Sequence, residues 1–344
     1  MKKSFAFLCT LMMLFSLIAC SGETDESESN KDSPSVKTDA SEIVINYGHG
    51  FAPDSPQALS ADEFKSRVEA ESNGRITVNV FPSGQLGSAQ EMFESMQMGT
   101  QEMALLPTAR LSGFDASLQV FDLPFLFPDR ETAYEIFDGE IGQQVLDTLS
   151  STGVKGLAIY EDGFMHFTCN KKIESLADFK GLKIRSMESP IKMTQFESLG
   201  SNPVPIDFNE LYNALQQNTV DGQENPLATI VPSKFYEVQD YMLLSNHAYL
   251  AQLVLVSESW FNSLDTEAQE IIARNALEIA AWERELVAEA EKDYLKTIED
   301  SGTVIYELSE DARQEFVEAT AAVYDVAKTI IDPALVDAVV SACK

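Results

Sequence analysis

The chain has little of what usually carries catalysis or binds polyanions. Among 344 residues there are three histidines, four cysteines and two tryptophans, and only 24 lysines and arginines against 55 aspartates and glutamates. A net charge of −31 sets the field of the folded body against nucleic acid and anionic membrane surfaces, so neither is an expected partner. There is no G-x-S-x-G elbow, no G-x-x-x-x-G-K-[ST] phosphate loop, no H-E-x-x-H and no C-x-x-C. Gly48-His49-Gly50 lacks the third glycine of a dinucleotide fingerprint. No cofactor and no metal is therefore expected. An enzyme built on paired carboxylates stays open, because 55 acidic residues make such pairs uninformative. Cys169 and Cys343 are lone residues without metal-ligand spacing, and they pair only if the C-terminus packs near residue 169.

What is present begins at the N-terminus. Lys2 and Lys3 precede the apolar run FAFLCTLMMLFSLIA, which stops at Cys20 and is too short for a stable spanning helix, the pattern of a secretion signal. Leu17-Ile18-Ala19-Cys20-Ser21 resembles the lipobox of bacterial lipoproteins, which implies cleavage of residues 1–19 and a lipid on Cys20. Loss of the two lysines leaves 22 basic against 55 acidic residues, a net charge of −33. Residues 20–42 follow as a lipidated cysteine and an acidic tether. Positions 21–42 hold seven acidic residues, two lysines and no aromatic, too little apolar surface to fold.

From residue 43 the pattern alternates strand and helix. EIVINYGHG and RITVNVF read as strands, ALSADEFKSRVEAESNG and SAQEMFESMQMGT as helices, and EMALLP as a short buried strand. The alternation restarts near residue 163, through GFMHFTCN, GLKIRSM, PIKMTQFESLG, NPVPID, NELYNALQQN and VDGQENP, and NHAYLAQLVLVS is one more strand. This is an α/β organisation with largely parallel sheets. From Thr266 to Asp300 there is no proline or glycine, and Thr266 with Gln269 fits a capping box before Ser301-Gly302 ends the run. At ~1.5 Å per residue this helix is roughly 50 Å long, enough to lie across two domains. Ala281, Trp282 and Ala290 break the strict heptad of the coiled-coil alternative. The expected organisation is a first domain from 43–162 and 249–265, a second from 163–248 and 303–344, and a helix over 266–300 joining them.

In GLKIRSMESP, Leu182 and Ile184 alternate with Lys183 and Arg185, so pattern alone reads Arg185 as a charge on a wet outer face. A wider stretch, GLKIRSMESPIKMTQFESLGSNPVPIDFNELYNALQQNTVDGQENP (181–226), resembles the DctP-type solute-binding proteins of tripartite ATP-independent periplasmic (TRAP) transporters. FPSGQLGSAQEM, FDLPFLF and KFYEVQDY extend the similarity over most of the mature chain. The resemblance implies a two-domain periplasmic-binding-protein-like fold with a hinge and a long domain-spanning helix. It also implies delivery of an organic acid to the TRAP permease subunits, with import driven by a sodium gradient, by a lipid-anchored protein outside the cytoplasm. A monomer is expected.

The same resemblance assigns Arg185 as the clamp on a ligand carboxylate, a role suited to a planar fork with two parallel donors. It places Asn225 as an orienting amide and Phe208 as an apolar wall. Many members of the family carry a second arginine twenty residues before the clamp, where this chain has Met165. Met165 would shape an apolar sub-pocket and favour monocarboxylates, unless His49, His166 or Arg110 supplies the missing charge. Glu188, near the clamp, completes the ligand-binding set with His49 and Arg110. A ligand sensor coupled to a membrane receptor shares every one of these residues and differs only in its partner.

Overall fold

The computed structural model describes residues 42–344. Cys20, the signal and most of the tether lie outside the described residues. The first lobe opens with β1 (Ile43–His49), α1 (Pro56–Glu71), β2 (Ile76–Phe81), α2 (Ala89–Gln97) and β3 (Met103–Pro107). α3 (Arg130–Asp138), α4 (Glu140–Thr148) and the eleven-residue β4 (Val154–Phe164) follow. The second lobe holds β5 (His166–Cys169), α5 (Leu176–Phe179), β6 (Lys183–Ser186), α6 (Pro190–Ser198), β7 (Asn202–Pro205), α7 (Phe208–Gln216), β8 (Gly222–Asn225), α8 (Leu227–Ile230) and β9 (Tyr241–Leu244). The chain then returns through β10 (Tyr249–Ser257) and α9 (Glu258–Ser263), runs along α10 (Thr266–Ser301), and ends with β11 (Val304–Glu307), α11 (Glu310–Thr320), α12 (Val323–Ile330) and α13 (Pro333–Ala342).

The sheets are ordered β2-β1-β3-β10-β4 and β11-β9-β5-β8-β6-β7. They are mixed rather than largely parallel, and the antiparallel members have a common cause. β10 runs against both β3 and β4, and β5 runs against both β8 and β9, because these are the strands that enter a lobe directly from the other one. All nine residues of β10 are buried, as its continuous apolar run requires of a strand covered on both faces. Gly222 opens β8 because a Cβ there would run into the carbonyl of Thr168 on β5.

α10 serves both lobes. Ile272, Ala276 and Ile279 lie in a core with Ile45, Phe64 and Val254 of the first, while Ile298 lies with Leu211, Leu215 and Met242 of the second. The cap falls one residue earlier than the pattern suggests: Asp265 accepts the Ala268 N–H at 3.0 Å, and the Gln269 side chain turns instead to the carbonyls of Phe261 and Leu264. Since an N-cap contributes ~1 kcal/mol, Asp265→Ala is expected to cost about that much. Thermal unfolding monitored by circular dichroism checks it, and an unchanged midpoint would show that the helix needs no cap.

One boundary differs from expectation. β11 and α11 belong to the second lobe, where Phe316 meets Phe179 and Phe196, but α12 and α13 return to the first. Val323, Ala327, Leu335, Val336 and Val339 are buried there with Val120, Phe121, Ile136 and Leu146. An amphipathic helix gives no local sign of which apolar surface it will cover. The same packing keeps the two cysteines apart: Cys169 is in the core of the second lobe, Cys343 packs against that of the first, and both are free thiols.

Candidate ligand-binding site

β6 ends at the interface between the lobes, so the face that local pattern reads as solvated is closed over by the first lobe. Arg185 is 1% exposed. Its Nε donates to the Ile206 carbonyl at 3.0 Å, while its Nη2 is buried with no hydrogen-bond partner. Burial, and then the repulsion of Arg110, lowers its pKa to about 9, so it is still a cation at neutral pH. Arg110 comes from the opposite lobe, on the 3-10 turn Thr108–Arg110 after β3. Its Nη2 donates to the same Ile206 carbonyl at 3.3 Å and to Asp207 Oδ2 at 3.1 Å. Two guanidinium groups, one from each lobe, thus meet on one carbonyl oxygen. An orphaned buried N–H beside a second cation is unfavourable by itself. It becomes favourable when an anion enters.

The space beside these groups is an interlobe cavity lined among others by Arg185, Arg110, Asn225 and Phe208. Asn225, at the end of β8, donates its amide to Gln223 Oε1 and keeps its own Oδ1 as an acceptor. Phe208 is the first residue of α7, braced edge-on against Phe235 at 5.8 Å. Asp207 caps that helix and pairs with Arg110, which ties the helix start to the second cation. Met92, Leu106, Met187 and Leu250 supply apolar wall.

Other expected site residues stand elsewhere. Met165 is fully buried one layer behind the wall, packed with Ala109 and Ala248 against Met187 and Leu250. Its backbone N–H is bonded to the Ala248 carbonyl at the junction of β4 and β5, and Met165 is not among the residues that line the cavity. The expected apolar sub-pocket at Met165 is therefore not part of the wall, and of His49, His166 and Arg110 it is Arg110 that lines the cavity. His49 is not in the wall either: its Nδ1 accepts the Phe51 N–H at 3.2 Å, and burial drives its pKa down to about 4, leaving it neutral. Burial likewise holds His166 down to about 3, behind Asn225 on the neighbouring strand. Glu188 is exposed, lining an outer groove at the mouth of the cleft, where its carbonyl accepts the Ser112 hydroxyl at 2.8 Å.

Two lining residues carried no sequence signal, Asp162 and Gln252. Both are polar positions inside strands, and nothing local separates them from surface residues.

Strand alternation puts Glu224 on the face of β8 opposite Asn225. There it forms a buried cluster, with Lys192 Nζ at 3.4 Å and His247 Nε2 at 2.6 Å. Burial pushes the Glu224 carboxyl up, but Lys192 and His247 outweigh it and hold the group below the usual range. His247 is stacked on Phe167 at 4.0 Å and bonded to Ser245 at 2.7 Å.

This site and fold have relatives. Residues 47–329 match the family described as Bacterial extracellular solute-binding protein, family 7. The C4-dicarboxylate-binding protein DctB of Bacillus subtilis is 33% identical over 285 residues, covering 82% of this chain and 81% of that protein. A crystal structure of the sugar acid binding protein DctPAm from Advenella mimigardefordensis, in complex with galactonate, superposes with a TM-score of 0.86 at 35% identity, covering 89% of this chain and 99% of that one. A TRAP periplasmic solute-binding protein from Sulfurospirillum deleyianum with bound succinate gives 0.83 at 34%, covering 87% and 98%. With a match over that span, two α/β lobes joined by a long helix and paired cations at their junction, the chain belongs to the DctP-type solute-binding proteins of TRAP transporters.

Proposed function

We propose that this chain captures an organic acid in the interlobe cavity, with Arg185 and Arg110 holding a carboxylate, and hands it to a TRAP permease outside the cytoplasm. The observation that carries this reading is the buried, unpartnered Nη2 of Arg185 facing a second guanidinium. A ligand carboxylate satisfies that donor and cancels the repulsion, so binding stabilises the closed arrangement of the lobes through contacts an open one lacks. Asn225 and Phe208 orient the bound acid. The family's role in transport and the neutral, buried histidines favour capture without turnover over an enzyme on the same scaffold. A thermal-shift screen of the mature protein against organic acids tests the reading, because a ligand of the native state raises its melting temperature. A library in which no carboxylate moves the midpoint would overturn it.

The anchor is part of the same proposal. No helix of the described residues is long and apolar enough to cross a membrane. Independently of that, the lipobox-like Leu17-Ile18-Ala19-Cys20-Ser21 supports membrane attachment through a lipid on Cys20, and the proposal takes the protein to act as a monomer. Cys20→Ser is expected to leave unprocessed precursor or to release the protein from the membrane fraction. Normal maturation and membrane retention of that variant would remove the anchor.

A further inference from the structure

β4 and β10 change register where they pass the cavity. Leu250 pairs with Gly163 and Ala251 with Glu161, which leaves Asp162 as the extra residue of a bulge. A bulge re-aims a side chain, and here it brings Asp162 to the cavity wall. Its carboxylate is held by donors from three directions: Gln57 Nε2 at 3.1 Å from α1, Thr229 Oγ1 at 2.8 Å from α8, and Gln252 Nε2 at 3.0 Å from β10. Gln252 also lines the cavity, and its Oε1 is buried with no donor. Among the described residues no lysine or arginine forms an ion pair with the acid. Its pKa is raised to about 7, chiefly by burial, with Thr229 and Gln252 pulling it down and Glu161 and Glu291 adding to the rise.

The cavity therefore has two kinds of wall. Arg185 and Arg110 offer only donors, while Asp162 and Gln252 offer acceptors with no cation beside them. We propose that the cavity selects hydroxylated monocarboxylates, with Asp162 and Gln252 accepting hydrogen bonds from ligand hydroxyls; this rests on the reading of the arginine wall as a carboxylate site. A second ligand carboxylate at the acceptor wall meets an acid and an amide oxygen, and its desolvation goes uncompensated. A plain alkyl chain leaves the Gln252 oxygen buried and unpaired, which is how a site built for hydroxyls rejects an analogue lacking them. A hydroxyl there turns the orphaned oxygen into a bonded one.

The experiment is titration calorimetry of the full mature protein with two length-matched sets, erythronate, butanoate and succinate, and galactonate, hexanoate and adipate. In at least one set the hydroxylated acid is expected to bind about 100-fold tighter than both partners of its length. Asp162→Asn keeps the shape and removes the charge. It is expected to weaken the hydroxylated acid and to improve the dicarboxylate, shrinking their ratio by about tenfold or more. Gln252→Met is expected to narrow the gap to the plain alkyl acid. If a dicarboxylate or a plain acid binds as tightly as the hydroxylated one in both sets, the selectivity is overturned while the carboxylate site stands. If the preference exists but neither substitution changes it, its assignment to Asp162 and Gln252 fails. If no member of either set binds, the carboxylate reading falls, and this inference with it.

Discussion

Replacing Arg185 with alanine is expected to weaken carboxylate binding by about 30-fold or more, since leaving a buried carboxylate unpaired costs roughly 2 to 5 kcal/mol. Arg185→Lys is expected to lose most of the same affinity, because a point charge does not reproduce two parallel donors. The ligand-free protein is expected to respond differently. Arg185 is desolvated, carries an unpartnered Nη2 and faces Arg110, so its removal relieves repulsion more than it breaks bonds. The melting temperature of the free Ala variant should therefore hold or rise while ligand-induced stabilisation disappears. Calorimetry and thermal unfolding on the same samples read both quantities. Unchanged affinity in a folded variant would return Arg185 to a structural role, and a large loss of free-state stability would contradict the strain argued for the pair.

The second large effect is on stability. Lys192 and Glu224 are both buried, and His247 completes the cluster. Glu224→Leu strands a buried ammonium, which typically costs about 3 to 5 kcal/mol. For a protein of this size that is a fall of roughly 10 °C in melting temperature. Adding Lys192→Met removes the stranded charge and should recover a good part of the loss, since an apolar replacement of a buried pair is often near neutral. A drop below about 2 °C in the single variant, or no recovery in the double one, would mean the pair is dispensable.

Legibility in the sequence divided along physical lines. β6 and the long α10 announce themselves because each is set by neighbours within one turn or one pleat: alternation at Leu182 and Ile184, no helix breaker after Thr266. Arg185, Asn225 and Phe208 were legible as site residues only through resemblance, since the pattern around Arg185 describes a face and not what covers it. Arg110 shares the Ile206 carbonyl with Arg185 from 75 positions away in the chain, across the lobe boundary. Met165 entered the expected site through the same resemblance, by its offset from Arg185, and packing with Ala109 and Ala248 buries it behind the wall instead. Asp162 reaches the wall through a register shift that only strand pairing creates. Local pattern records what a residue prefers; these outcomes depend on what distant residues brought to it.

The return of α12 and α13 to the first lobe has a consequence for how the chain is made. The core that contains Ala104 and Leu106 early in the sequence is completed by Val336 and Val339 at its very end. The chain crosses between lobes at β4–β5, at β9–β10, along α10 and again between α11 and α12, so neither lobe is a contiguous stretch that a ribosome delivers whole. Contacts of such long sequence separation form late, because loop closure must precede the gain from burial. A polypeptide emerging from its N-terminus thus leaves this core unfinished until the last helix is released, although the core that α10 shares with β1 and α1 is complete by Ala280.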